Sequence, residues 1–150
     1  MTAGYSGTPL AKKLGIKEGF LVLVVNAPLN YAELVKPVPK GADMLLGDMS
    51  PRETLPTGRV SARGADIVHI FTNGRKELFQ ELNKAKRSIK QDGAIWVSWY
   101  KRAAKLPTEI TEDTIRDAAL PLGLVDVKVC AVDERWSGLK LVIRKENRLK

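Results

Sequence analysis

Apolar residues in this chain fall into short runs divided by polar segments rich in glycine and proline, and the runs carry two different periods. FLVLVV at 20–25 is a continuous apolar run of strand length. It predicts a strand covered on both faces, the habit of a parallel sheet, ended by Asn26-Ala27-Pro28. ADIVHIF at 65–71 and AIWVSWY at 94–100 read the same way. After the turn Thr72-Asn73-Gly74 the period changes. Leu78, Phe79, Leu82, Ala85 and Ile89 recur at helical spacing and predict one buried helix face, with Asp92-Gly93 as the stop. A second helix is predicted from Thr111 as N-cap, with Glu112 and Asp113 in its first turn, Ile115, Ala118, Ala119 and Leu122 on its apolar face, and Gly123 at its end. LVDVKVCAV at 124–132 and LKLVIR at 139–144 are too close for a crossover helix. They predict an antiparallel hairpin around DERWSG, in which Gly138 supplies an unusual backbone angle.

The first third is less regular. Thr8 as N-cap, Pro9 at the first helical position and Gly15 as stop predict a short helix within a brace over 1–18. NYAELVK at 30–36 predicts a short helix capped by Asn30 and closed by Pro37 and Pro39, followed by a short strand, DMLL, at 43–46. The segment 47–64, with two prolines, three glycines and no apolar period, predicts a long loop, and 145–150 a polar tail. The sum is an α/β fold in one domain over 1–150: a Rossmann-like three-layer sandwich around a mostly parallel sheet of about six strands, with right-handed crossovers, ending in an antiparallel β-hairpin.

Composition narrows the class. The chain is 44% apolar and 28% charged over 150 residues, enough to bury a core without disulfides or metal. No run reaches the ~20 apolar residues of a membrane span, and MTAGYSGTPLAKKLG has no apolar stretch with a cleavage site, so a cytoplasmic location is expected. One cysteine, Cys130, and one histidine, His69, both sit in strand runs. They are expected as a buried thiol and a hydrogen-bonded core imidazole, and ordinary zinc sites are excluded. The net charge of +8 is uneven, near +1 over residues 1–50, +4 over 51–100 and +3 over 101–150. The basic residues between Arg52 and Lys150 look scattered, so a solvated surface explains them and nucleic-acid binding rests on charge alone. Trp96 and Trp99, three apart on a strand, should face opposite ways and give no stacking platform for bases.

Two resemblances follow from particular segments. The strand, helix, strand, helix, hairpin order of the second half resembles the class I methyltransferase-like Rossmann fold, whose last strand inserts antiparallel. In those enzymes a glycine-rich turn after the first strand lets the backbone approach the cofactor, whereas NAPLNY stands at 26–31 here. The segments YSGTPLAKKLGIK at 5–17, NAP at 26–28 and LPLGLVDVKVCAVDERWSGLKLV at 120–142 also resemble a bacterial family of unknown function, which implies relatives rather than a reaction.

In open α/β sheets ligands bind beyond the carboxyl ends of strands. The candidate ligand-binding residues are therefore Asn26, Ala27 and Pro28, then Thr72, Asn73 and Gly74, then Tyr100, Lys101 and Arg102. Backbone donors at 72–74 and the charges of Lys101, Arg102 and Lys105 would cradle an anion, against the alternative of ordinary capping and a solvated basic loop. Asp133 and Trp136 are candidates for partner binding, the alternative being that Trp136 covers the sheet end. The leading expectation is a non-catalytic or regulatory module for a small anionic or nucleotide-like ligand or a protein partner, with no catalytic residue, metal or cofactor. The rivals are a transferase using S-adenosylmethionine, with Asp48 as the acidic ribose partner, and a basic nucleic-acid-associated protein.

Overall fold

The computed structural model describes residues 9–46 and 64–147. The chain runs α1 (Leu10–Leu14), β1 (Leu21–Val25), α2 (Tyr31–Leu34), β2 (Asp43–Leu46), β3 (Ala65–Phe71), α3 (Arg75–Ser88), β4 (Ile89–Tyr100), α4 (Glu112–Ala119), β5 (Leu124–Ala131) and β6 (Trp136–Ile143), with short 3₁₀ turns between. Thr8, Asp48 and the rest of the 47–63 segment lie outside the described residues. Of the expected polar tail, residues 145–147 form a 3₁₀ turn.

The six strands form one sheet in the order β2-β1-β3-β4-β6-β5. β2, β1, β3 and β4 pair in parallel, and β6 enters antiparallel between β4 and β5. The continuous apolar runs are explained by this burial from both sides. Every residue of β1 is buried, with Leu21, Leu23 and Val25 facing one layer and Val22 and Val24 the other. On the first face α3 and α4 lay Leu78, Leu82, Ile115 and Ala118 over Val68, Ile95 and Leu139. On the second, α1 and α2 lay Leu14, Tyr31 and Val35 over Ile67, Phe71 and Trp96. Each such Leu, Ile or Val contributes roughly 1.5–3 kcal/mol by leaving water. Trp96 and Trp99 do face opposite layers, and Trp96 Nε1 donates to the Leu14 carbonyl at 3.0 Å, tying α1 to the sheet. Among the described residues no helix is long and apolar enough to cross a membrane.

Several local expectations are corrected. Pro9 occupies the cap position and α1 starts at Leu10, while Gly15 ends the helix with φ 82° as expected. Asn30 stands at the N-cap of α2 but its side chain makes no capping bond. Phe79 is exposed beneath the Arg75 guanidinium, 5.1 Å from its ring centre, because it sits one position off the buried Leu78–Leu82 stripe. α3 stops at Ser88, not at Asp92-Gly93. Ile89 already pairs with Ala65, and Lys90–Asp92 bulge before Ala94 pairs with Ile67. Leu122 lies in a 3₁₀ turn after α4, which ends at Gly123 with φ 79°. The hairpin turn is also shorter than expected. Trp136, Ser137 and Gly138 belong to β6, and Gly138 pairs with Ser98. A Cβ on Gly138 would sit 3.2 Å from Trp96 Cε3 and from Val132 Cγ2, so this glycine makes room for an indole rather than a turn.

Candidate functional site

β1, β3 and β4 are neighbours in the sheet, so the three loops at their carboxyl ends lie side by side. Asn26 turns the chain after β1 in the left-handed region, φ 58°, which asparagine tolerates, and its Nδ2 donates to the Phe71 carbonyl at 3.2 Å. Asn73 Oδ1 accepts from the Tyr100 backbone N–H at 2.8 Å, and the Asn73 carbonyl accepts from Glu109 N–H at 2.8 Å. These side chains bind loop to loop.

Two of the backbone donors expected to cradle an anion at 72–74 have partners within the chain, Thr72 N–H donating to the Ser98 carbonyl at 3.0 Å and Gly74 N–H to Thr72. Thr72 Oγ1 accepts from Gly74 N–H at 3.3 Å and donates to Glu77 Oε1 at 2.6 Å. Glu109 Oε1 accepts from Arg75 N–H at 2.8 Å. The positive end of α3 thus faces a carboxylate of its own chain, where a bound anion would otherwise stand. Lys101 N–H donates to the Arg135 carbonyl at 2.8 Å, Arg102 opens a 3₁₀ turn, and Lys105 closes it with φ 55°.

Beyond these loops lies an aromatic wall. The Trp136 ring meets Phe71 edge-on at 4.9 Å and Tyr100 at 4.5 Å with a 40° tilt, and Phe71 stacks on His69 at 4.3 Å. Asp133 Oδ1 accepts from the N–H groups of Arg135 and Trp136 at 2.8 and 2.9 Å, so its carboxylate shapes the turn that delivers the indole. Trp136 is half-buried, with its ring against Phe71 and Tyr100. A cleft of about 620 Å³ opens here, lined by Pro28, Leu29, Asn30 and Leu34 on one side and by Tyr100 and Asp133–Trp136 on the other. A second cleft of about 600 Å³ lies across Tyr100, between Lys101, Arg102, Leu106 and Thr111. Of the expected residues, Pro28, Tyr100, Asp133 and Trp136 line the first cleft and Tyr100, Lys101 and Arg102 the second. Asn26, Ala27, Thr72, Asn73 and Gly74 line neither of these two. Leu29, Asn30, Leu34, Glu134 and Arg135 of the first cleft are new as site residues. Leu29 is fully exposed, and only its position at the cleft marks it.

His69, stacked on Phe71, is wholly buried. One ring nitrogen meets Tyr31 Oη at 3.1 Å and the other Ser98 Oγ at 2.6 Å, the hydrogen-bonded core histidine expected from its strand. Burial pushes its pKa down to about 3 and pushes the Tyr31 phenol up, so both are neutral. Cys130 is half-buried on β5 rather than fully buried, and desolvation raises its thiol pKa more than Lys13 and Lys128 lower it.

The fold compares with solved structures of methyltransferases. A SAM-dependent methyltransferase from Aquifex aeolicus superposes with a TM-score of 0.65 at 18% identity, over 89% of this chain and 87% of that one. A putative type 11 methyltransferase from Sulfolobus solfataricus gives 0.62 at 13% identity, over 94% and 93%. Fibrillarin from Aeropyrum pernix, solved with natively bound S-adenosyl-L-methionine, gives 0.55 at 14%, over 93% and 70%. At these identities the likeness is one of fold. The turn after β1 does not fit a cofactor cradle of the glycine-rich kind: Ala27 carries a Cβ, Pro28 has no N–H, and the Pro28 carbonyl accepts from Tyr31 N–H at 3.0 Å. No curated protein matches the chain in sequence. Residues 61–145, more than half of the chain, match a family described as protein of unknown function, DUF3052.

Proposed function

We propose that this chain, which belongs to the DUF3052 family, is a binding or regulatory module that takes a small nucleotide-like ligand into the cleft at the carboxyl ends of β1 and β4. The observation that carries this reading is the Tyr100–Trp136 wall, with centroids 4.5 Å apart, on a cleft of about 620 Å³ faced by Pro28 and Leu29. That volume lies within the usual range of about 300–1,000 Å³ for small-molecule sites. Stacking a base on an aromatic ring is worth about 1–3 kcal/mol. Asp133 and Glu134 beside Arg135 make the rim mixed in charge, and Glu109 already accepts from the first N–H of α3. The site therefore suits the ring and sugar of a nucleoside better than a bare phosphate.

Calorimetric titration with adenosine, AMP, S-adenosylmethionine and S-adenosylhomocysteine tests this. Saturable binding of at least one is expected, weakened by Leu29→Ser, which removes a side chain with no packing role. No heat from any of the four, or binding indifferent to Leu29→Ser, would overturn it. A second reading, transfer from S-adenosylmethionine, is favoured by the fold likeness alone. It calls for binding of both S-adenosyl compounds with little of AMP, together with methyl label passed to an acceptor.

A further inference from the structure

Tertiary folding gathers four lysines that are far apart in sequence. Lys13 lies in the last turn of α1 and Lys17 follows the helix, while Lys128 and Lys140 stand on β5 and β6. Lys128 and Lys140 are direct cross-strand partners, so both point to the face of the sheet that α1 covers. Lys128 Nζ donates to the Lys13 carbonyl and Lys13 Nζ to the Ala131 carbonyl, each at 3.4 Å, which brings the end of α1 against the hairpin. Among the described residues, no carboxylate pairs with Lys17, Lys128 or Lys140.

A like-charged pair directly opposed on a ladder is locally unfavourable. Keeping lysine on an edge strand to prevent sheet-to-sheet pairing would account for Lys128 on β5, the outermost strand. It does not account for Lys140, which lies on the inner strand β6, half-buried and next to Trp96 in register. The Lys140 ammonium is held below its ordinary pKa by burial first and then by the nearby charges of Lys128 and Lys17.

We infer that Lys13, Lys17, Lys128 and Lys140 form a docking face for the phosphodiester backbone of a nucleic acid. A backbone is favoured because all four are lysines, compact point charges on flexible stems that neutralise phosphates without the planar fork that reads base edges. A duplex, with one negative charge per about 1.7 Å of its axis, can engage several ammonium groups at once. The face lies four residues along β6 from Trp136, roughly 13 Å, and is independent of the cleft.

The test is binding of a labelled duplex oligonucleotide by fluorescence anisotropy across a salt series. Three or four lysines meeting phosphates give log K against log salt a slope of about −3. Lys128→Gln with Lys140→Gln should reduce its magnitude by about 2, and Lys17→Gln alone by about 1. Lys76→Gln with Arg87→Gln on α3, which packs on the opposite face of the sheet, makes the same change in net charge and should leave the slope alone. Relief of the opposed pair means that the double variant should melt no lower than the parent, which separates lost docking from lost folding. Equal effects of the two double variants would overturn the inference in favour of net charge. So would binding of inorganic phosphate or anionic vesicles without binding of the duplex, or no binding at all.

Discussion

His69 has no exposed surface, yet both ring nitrogens have partners, Tyr31 on α2 and Ser98 on β4. Its folded pKa of about 3 lies below the ordinary value of 6.5, so on acidification the unfolded chain takes up this proton first. Stability from this group is whole above about 6.5 and is lost as the pH falls toward about 3, at about 1.4 kcal/mol per pH unit. Urea unfolding measured from neutral pH downward should show a steeper acid decline in the parent than in His69→Gln; parallel declines would show that the buried ring is not the cause. Its strand run marks His69 as a core residue, but its partners come from segments 38 and 29 residues away and no local pattern names them. Gly138 shows the opposite failure. A glycine after Trp-Ser reads as a turn, whereas its neighbours across the sheet are what require it. Gly138→Ala is expected to cost about 1–3 kcal/mol by overpacking against Trp96 and Val132, checked by thermal melting.

At the scale of elements, burial on both faces made β1, β3 and the inner part of β4 legible, because a parallel strand between two helical layers must be apolar throughout. Ends were legible where a cap has its own chemistry. Thr111 accepts from Thr114 N–H while Thr114 Oγ1 accepts from Thr111 N–H, and α4 starts where the cap residue said it would. The exit of α3 was not legible, since Ile89 continues the helical spacing and only the ladder with β3 draws it into β4. That bulge rests on two residues. Asp66 accepts from Leu21 N–H at 2.8 Å and pairs with Lys90 at 3.1 Å, and Gly93 passes so close that a Cβ would lie 3.0–3.1 Å from the carbonyl oxygens of Asp66, Ala65 and Lys90. Backbone oxygens cannot rotate away, so Gly93→Ala should destabilise by about 2 kcal/mol or more, with the loss of amide-exchange protection concentrated at the start of β4. Uniform loss of protection would speak against a local role for the glycine.

For the whole molecule, the sheet order sets the three loops at one end and the cleft beside them, while the hairpin that folds back antiparallel brings Trp136 to Tyr100. A ligand in that cleft binds only the folded chain. At about one hundred times its dissociation constant it should add about 2.7 kcal/mol to the unfolding free energy. Urea unfolding with and without the ligand identified by titration measures this, and an unchanged midpoint would place the binding elsewhere or with the unfolded chain. The net charge of +8 was plain from composition, but its grouping was not. Lys17 and Lys140 are 123 positions apart and interact only because α1 packs over β6.

The sequence by itself determined the α/β class, six strands, the buried stripes of α3 and α4 and the closing hairpin. Those features follow from the period of apolar residues and from local capping, which act over a few residues. Only the tertiary structure decided that Asn26 and Asn73 bind loop to loop, that Glu109 rather than a ligand meets the start of α3, that Trp136 lies against Phe71, and that four lysines share one face. Each of these is a contact between residues remote in sequence. Its energy depends on the distance and burial that packing creates, and no run of neighbouring side chains encodes it.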